Sequence, residues 1–594
     1  MTTFVPPEID WLALAPLVVV LGAGVVGILV EAFVPARARR TTQIVLALAA
    51  LAGGLAFVAV LWPQIVTQPV QVVGGSVTLT PFALAGQGVV AVLAFLGVLV
   101  VADRTSTGQD AFAPTASAVP GTSYEDLART AGLVQTEIYP LLLFAAGGMM
   151  LFTSTDDLVV LFIALEVLSL PLYVLCATAR RRRLLSQEAA AKYFLLGAFA
   201  SALFIFGVAL IYGFAGSVRF FGDPTDPGRS ILGAIQAGTL SSPGMGALLV
   251  AGVLLVTVGL LFKVGAVPFH AWTPDVYTGA PTPITGFMAA CTKAAAIVAL
   301  VQVLYRTSIG VQAVDPQIMR QLQVVVVVVA IVTMAVGAVV GSVQSDVKRL
   351  LAYSSIAHAG FLLVGIAGFT SQVQASTLFY LLAYGLSTVG AFAVVTLVRE
   401  RRVGRSSGSG DDNGPVADDG VVLGEATEIA QWAGLGRKAP WLTAAFGIFL
   451  LSMAGIPLTA GFVAKFGAFS GAVTGGLWWL AVLGVLASIV TVAFYLRLLV
   501  VMVFRRADDE TVPEQVPDAE DLDASETTAA SAGTAPAAVA TAQVTAAQRV
   551  VVTVVRSRGP AAVAVAVCAV ATVILGVFPS PVLDLVEQAS KFVP

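Results

Sequence analysis

The feature that most constrains this chain is the recurrence of long apolar runs. Fourteen stretches of about 18 or more largely apolar residues, the length that crosses a bilayer core, begin near Trp11, Thr42, Pro81, Ile138, Asp157, Ala189, Met245, Pro281, Val324, Arg349, Gln374, Pro440, Leu477 and Pro560. Hydrocarbon offers no partners to backbone N–H and C=O groups, so a spanning chain must satisfy them itself, as helix or closed barrel. Barrel strands would read as short alternating segments. These runs are long, which predicts an all-α polytopic membrane protein. Composition agrees: 58% of the 594 residues are hydrophobic and 11% charged, with a mean hydropathy of +0.92, far from a soluble domain.

The basic residues test the count of spans. Loops after odd-numbered spans hold 22 of the 32 lysines and arginines, among them Arg37, Arg104, Arg180, Lys348, Arg399, Arg437 and Arg505. Loops after even-numbered spans hold four, Arg219, Arg229, Arg306 and Arg320, and Lys591 lies in the tail. An error of one span would scramble this split. Under the positive-inside rule the odd loops are cytoplasmic and both termini lie outside, as expected for a bacterial inner (plasma) membrane protein. The amino terminus carries Glu8 and Asp10 and no positive n-region, so its first run reads as a retained span rather than a secretory signal.

Three polar segments, 103–137, 400–439 and 507–559, are rich in Gly, Ser, Thr, Ala, Pro or acids and lack helical periodicity, and read as flexible cytoplasmic segments. The acidic run "DDETVPEQVPDAEDLD" reads as a solvated tether. Net charge is −3, which gives no case for nucleic acid. Cys176, Cys291 and Cys568 share no ligand spacing, and the only histidines are His270 and His358. No zinc, haem or iron–sulfur site is legible, nor a Gly-rich dinucleotide fingerprint.

Five basic residues remain inside the spans: Lys192, Lys263, Lys293, Lys465 and Arg497. Arg497 lies near a span end and can snorkel. Lys263, Lys293, Lys465 and the acidic Glu166 lie deep, and at ~3 kcal/mol each they imply an insertion cost on the order of 10 kcal/mol unless they pair or meet water. Lys192 is nearer a helix end. In "LLFKVGAVPFHAW", Pro268 cannot donate to the carbonyl of Val264 and Gly265 weakens the same turn, so span seven should break just after Lys263. Span twelve repeats the device, with Gly455, Pro457 and Gly461 shortly before Lys465. Irregular backbone at membrane depth is tolerated where it lines a hydrated cavity, and paired broken helices mark inverted-repeat transporters. Lysine chemistry suits protons, because desolvation and a nearby carboxylate pull its proton affinity in opposite directions. His358 could relay between the halves. His270, between Pro268 and Trp272, reads as structural or as lining a cytoplasmic mouth.

At these residues the sequence resembles the antiporter-like proton-pumping subunits of respiratory complex I and their relatives in multisubunit Na+/H+ antiporters. "FKVGAVPFHAWTPDVYTGAPTPITGFMAACTKAAA", "KRLLAYSSIAHAG" and "LLSMAGIPLTAGFVAKF" are similar to family motifs of spans seven to eight, ten and twelve, and the likeness runs from about Ile138 to Arg505. "WTPDVYTGAPTP" with lysine at 293 is most similar to the N-type branch, whereas the L and M paralogues read closer to "FHxWLPDAMxGPTP". The resemblance implies two inverted five-helix repeats, 138–305 (helices 4–8) and 306–506 (helices 9–13), between 1–137 on one side and a 507–559 linker with 560–594 on the other. It implies Glu166 as acidic partner, Lys263 as switching lysine, Lys293 as connecting lysine and Lys465 in the outer half-channel, with Lys192 and His358 in further roles. It also implies a subunit of NADH:quinone oxidoreductase that carries the proton path. NADH, FMN, iron–sulfur clusters and quinone would belong to neighbouring subunits, and M-type and K-type membrane subunits would adjoin. The rival expectation is a Na+/H+ antiporter subunit without a redox partner; a sodium site would want convergent oxygen ligands, and apart from Glu166 the spans offer scattered hydroxyls and carbonyls.

Overall fold

The computed structural model describes residues 9–104, 108–114, 123–131, 133–180, 182–222, 228–403, 422–505, 549–554 and 559–590. Its helices fall on the fourteen expected runs. Spans one to six are Trp11–Phe33, Ala36–Thr67, Pro81–Val101, Ile138–Phe152, Leu158–Cys176 and Arg183–Ala215. Span seven is Met245–Val264, resuming as Trp272–Gly279; span eight is Thr282–Val314. Spans nine to eleven are Pro316–Ser342, Val347–Ile366 and Gln372–Leu397. Span twelve is Pro440–Ala454 resuming as Ala460–Thr474; spans thirteen and fourteen are Trp478–Phe504 and Pro560–Val577. Twelve of these helices are long and apolar enough to cross a membrane; Ile138–Phe152 and Pro440–Ala454 are shorter.

Local chemistry sets the helix starts. Asp10, Thr80, Asp157, Asp315 and Asp346 each accept a backbone N–H of the first turn with their side chain, satisfying donors that would otherwise face hydrocarbon. Prolines 81, 316, 440 and 560 open their helices, where a missing N–H costs nothing. Both breaks end in the same motif. The N–H of Gly265 donates to Phe262 and that of Ala266 to Leu261; Gly455 and Ile456 repeat this on Ser452 and Leu451. Each glycine has positive φ, +77° and +83°, the left-handed residue of a Schellman cap. The glycine, rather than Pro268, therefore stops span seven, and the proline only prevents its resumption. Because seven and twelve have opposite parity, the two breaks point in opposite directions through the bundle.

Loop pairings confirm the parity. Loops after even spans join one another: Val77 bridges Thr155, and Asp157 bridges Arg219. Loops after odd spans do likewise, with Phe112 against Ala179 and Asp346 against Glu428. The polar segments hold more structure than their composition suggests. A hairpin of β1 (Val70–Val72) and β2 (Val77–Leu79) lies on the even face. On the odd face β3 (Val398–Val403) pairs antiparallel with both β4 (Val422–Glu425) and β5 (Arg549–Val554). The segment 103–137 contains a helix, Ser123–Thr130. Within the described parts of 103–137, 400–439 and 507–559, the Ser123–Thr130 helix and strand residues of β3, β4 and β5 stand where the sequence predicts flexible segments; the β1–β2 hairpin lies outside those segments. The runs "SSGSGDDNGPVADDG" and "DDETVPEQVPDAEDLD" lie outside the described residues. Span eight is buried along its whole most apolar window, whereas spans two and thirteen are one third buried there. Among the ionisable residues in the spans, Lys263, Lys293, Lys465 and His358 are buried.

Candidate functional site

Lys263, Lys293 and Lys465 are 3%, 2% and 5% exposed, and His358 is 3% exposed. Among the described residues none of these lysines has a carboxylate oxygen within 4.0 Å, the distance of an ion pair. What holds them is neutral. Lys263 Nζ donates to the hydroxyls of Tyr173 (3.3 Å) and Tyr193 (3.4 Å) and lies 5.0 and 4.7 Å from their ring centres. Burying an ammonium costs several kcal/mol (~) after relaxation, and π faces return only ~2 kcal/mol even when desolvated. The site therefore tolerates the cation without fixing it.

Glu166 is half-buried on span five and accepts from Ser201 Oγ at 2.5 Å. It acts on Lys263 through space, not through a contact. The hydroxyl of Tyr173 occupies space that Gly197 leaves open: a Cβ there would stand 2.1 Å from it. Span eight carries a π-helical turn, Met288–Thr292, immediately before Lys293, and such turns free backbone groups next to functional residues. Lys293 Nζ donates to the carbonyl and hydroxyl of Ser355 and lies 5.4 Å from the Tyr384 ring centre.

His358 stands next along span ten. Its Nδ1 meets the Tyr380 hydroxyl at 2.7 Å and its Nε2 the Tyr495 hydroxyl at 3.3 Å. Tyr495 is bonded in turn to Ser354. Lys465 completes the row. It donates to the Ala454 carbonyl (2.9 Å) and to Ser488 Oγ (2.8 Å), and lies 4.7 Å from the ring centre of Phe361, which packs edge-on against His358. Lysines, tyrosine and serine hydroxyls and one imidazole thus run across the middle of the bundle from span five to span thirteen. Every member can donate, and the hydroxyls and imidazole can also accept.

Two further basic residues sit apart. Lys192 is 41% exposed and pairs with Glu188 (2.5 Å) and Asp275 (2.7 Å), and Asp275 also takes Arg349 at 3.3 Å. This ties span six to the helix after the first break and to span ten. Arg497 is exposed and donates to the carbonyls of Ser342 and Gln344, the snorkelled position expected of it. His270 is half-buried in the break itself. On the even face Arg306, counted above as a loop residue, is 2% exposed and forms a buried ion pair with Asp156 at 3.2 Å. Burial pushes the Asp156 carboxyl up, and the guanidinium opposes it. Among the described residues there is no group of three or more His, Cys, Asp or Glu that could hold a metal ion.

The tyrosines and serines escaped the sequence reading because charge drew attention away from hydroxyls. Their spacing carried a signal: Ser169 and Tyr173 follow Glu166 by three and seven residues, and Ser354 and Ser355 precede His358 by four and three, positions that share a helix face.

Residues 155–491 match the family model described as NADH:quinone oxidoreductase/Mrp antiporter, TM. NADH-quinone oxidoreductase subunit N of Beutenbergia cavernae is 52% identical, covering 99% of both chains. The protein of the same name from Mycobacteroides abscessus is 44% identical over 99% of this chain and 98% of its own. Among solved structures, a chain of Thermus thermophilus respiratory complex I with bound aureothin superposes with a TM-score of 0.65 at 29% identity, covering 96% of this chain and 98% of that one. A chain of the Mrp complex from Dietzia superposes at 0.68 with 22% identity, covering 97% of each, which shows a shared fold.

Proposed function

The chain belongs to the membrane-subunit family that NADH:quinone oxidoreductase shares with Mrp antiporters, and from that premise we propose that it is the N-type proton-translocating subunit of a bacterial NADH:quinone oxidoreductase. Redox energy reaches it from neighbouring subunits, which hold NADH, FMN, iron–sulfur clusters and quinone; M-type and K-type membrane subunits adjoin it. The odd face is cytoplasmic and both termini lie outside. Residues 138–305 and 306–506 act as two inverted half-channels, flanked by 1–137 and by 507–559 with 560–594.

The observation that carries this reading is the row of three deeply buried lysines held by neutral hydroxyls and carbonyls. A structural charge buried at this depth needs an acid to offset its desolvation. A lysine that must alternately hold and release a proton is better served by acceptors that also fit the neutral amine. In this scheme Glu166 is the acid whose approach or withdrawal loads or discharges Lys263, Lys293 connects the halves, His358 relays, and Lys465 delivers to the outer half-channel. Lys192, with Asp275, positions the helix after the break. Moving one proton against 100 mV takes about 2.3 kcal/mol, which a pKa swing of about two units on one lysine supplies.

The test is NADH-driven acidification of inverted membrane vesicles, comparing wild type with Lys263→Ala at matched complex content while NADH oxidation is recorded. Loss of acidification in an assembled complex supports the proposal. Unchanged acidification with loss of sodium transport would replace it with the antiporter reading.

A further inference from the structure

The row described above ends inside the protein, and a pump must exchange protons with both faces. On the odd face Lys348 lies between the row and the loops. Lys348, in the first turn of span ten, is 4% exposed. Its Nζ donates to the carbonyl of Ala280 at 2.7 Å, and among the described residues no carboxylate oxygen lies within 4.0 Å of it. Ala280 is the residue on which the helix after the first break ends. Lys348 thus sits where the broken span seven turns into span eight, over the start of the helix that carries Lys293.

Its surroundings connect it in two directions. Inward, Ser355 lies seven residues further along span ten, on the same helix face and ~10.5 Å along the axis, and it accepts from Lys293. Outward, Glu425 on β4 is half-buried and its field joins those of Lys348 and Arg399. Arg399 stands opposite it in the β3–β4 register. Burial alone would push the Glu425 carboxyl up, and the two cations hold it below its ordinary value, so it stays an anion at the edge of the loop layer. The small sheet built by the polar segments therefore brings a half-buried carboxylate, on β4 opposite Arg399 of β3, to the odd face on which span ten begins.

Resting on the proton-translocating reading, we propose that Lys348, reached through Glu425, is the group by which the buried row exchanges protons with the odd face. In the step itself a hydronium ion held at the Glu425 carboxylate gives its proton to neutral Lys348 Nζ, an O–H bond breaking to leave water as the N–H bond forms. That bond breaks when water on the inner side takes the proton towards Ser355 and Lys293. The competing role is a static one, in which Lys348 does no more than donate to the carbonyl of Ala280 at the end of its helix.

Two substitutions separate the roles. Lys348→Gln and Lys348→Arg both keep a donor for that carbonyl, and neither can load and release a proton near neutral pH. In inverted vesicles holding the whole complex, with assembly checked by native electrophoresis and Lys263→Ala run in parallel, NADH-driven acidification is expected to fall about tenfold or more in both. Glu425→Gln is expected to lower it by a smaller factor. Should Lys348→Gln not assemble, Lys348→Arg carries the test, since it keeps the charge as well. Wild-type acidification in the assembled Lys348 variants, with Lys263→Ala inactive, overturns this proposal alone. If Lys263→Ala also acidifies normally, the proton-translocating reading falls with it. A wild-type rate in Glu425→Gln removes Glu425 from the port.

Discussion

Spans seven and twelve stop at glycines in the same backbone geometry, yet the lysine lies two residues before the stop in one and ten residues after it in the other. In span seven the backbone caps its own last carbonyls, and Lys263 is left to tyrosine rings and hydroxyls. In span twelve Lys465 reaches back across the break to the carbonyl of Ala454. A tyrosine hydroxyl can turn from acceptor to donor when the amine loses its proton, and a backbone carbonyl cannot. On the proposed scheme one device, a broken helix, therefore supplies two kinds of lysine: Lys263, held by hydroxyls alone, as the one that switches, and Lys465, anchored in part by a backbone carbonyl besides the Ser488 hydroxyl.

The sharpest way to break the comparison is through the glycine that has no counterpart in the first half. A Cβ on Gly461 would stand 1.8 Å from the Ser452 carbonyl oxygen, which belongs to backbone that cannot swing aside. Gly461→Ala should force the two halves of span twelve apart, with an overpacking cost of ~1–3 kcal/mol or more, and deplete assembled complex on native gels. Normal assembly would mean that the halves need not touch as closely as they do here.

A smaller effect separates the lysines themselves. Lys465→Met removes the donor to Ala454 and Ser488 and leaves buried acceptors unsatisfied, at about 1–3 kcal/mol. Lys263→Met places a thioether among Tyr173, Tyr193 and Phe262, where sulfur–aromatic contacts are favourable and no carbonyl is orphaned. Both variants should stop pumping. Only Lys465→Met should lower the thermal midpoint of the purified complex, and equal destabilisation would erase the distinction between a switching and an anchored lysine.

Much of this was legible beforehand, for a physical reason. In hydrocarbon every charge and every helix breaker is conspicuous, so the fourteen runs, the break after Lys263 and the isolation of Lys293 and Lys465 could be read from residue type alone. The π-turn before Lys293 could not, because "MAACT" is as compatible with an α-turn. Nor could the pairing of β3 with β5, which joins Val398 to Val554 across more than a hundred residues. The inner hydroxyls lay between these extremes, since serine and tyrosine also occur as ordinary buried residues bonded to their own helix. Lys348 was legible as a charge and was misread as a loop residue, because it stands in the first turn of span ten beneath a sheet that composition did not announce.

Arg497 gives the smallest expected effect and the cleanest control for the row. It is a span-embedded cation like the lysines, but its guanidinium is exposed and reaches the carbonyls of Ser342 and Gln344 at the odd face, so it needs neither water nor a proton acceptor inside the bundle. Arg497→Gln keeps a donor for those carbonyls, and the substitution should change stability by less than about 0.5 kcal/mol. NADH-driven acidification should match wild type at equal complex content. A loss approaching that of Lys263→Ala would show that depth in the sequence, rather than burial among neutral partners, marks the working cations, and the contrast between the two broken helices would no longer identify which lysine switches.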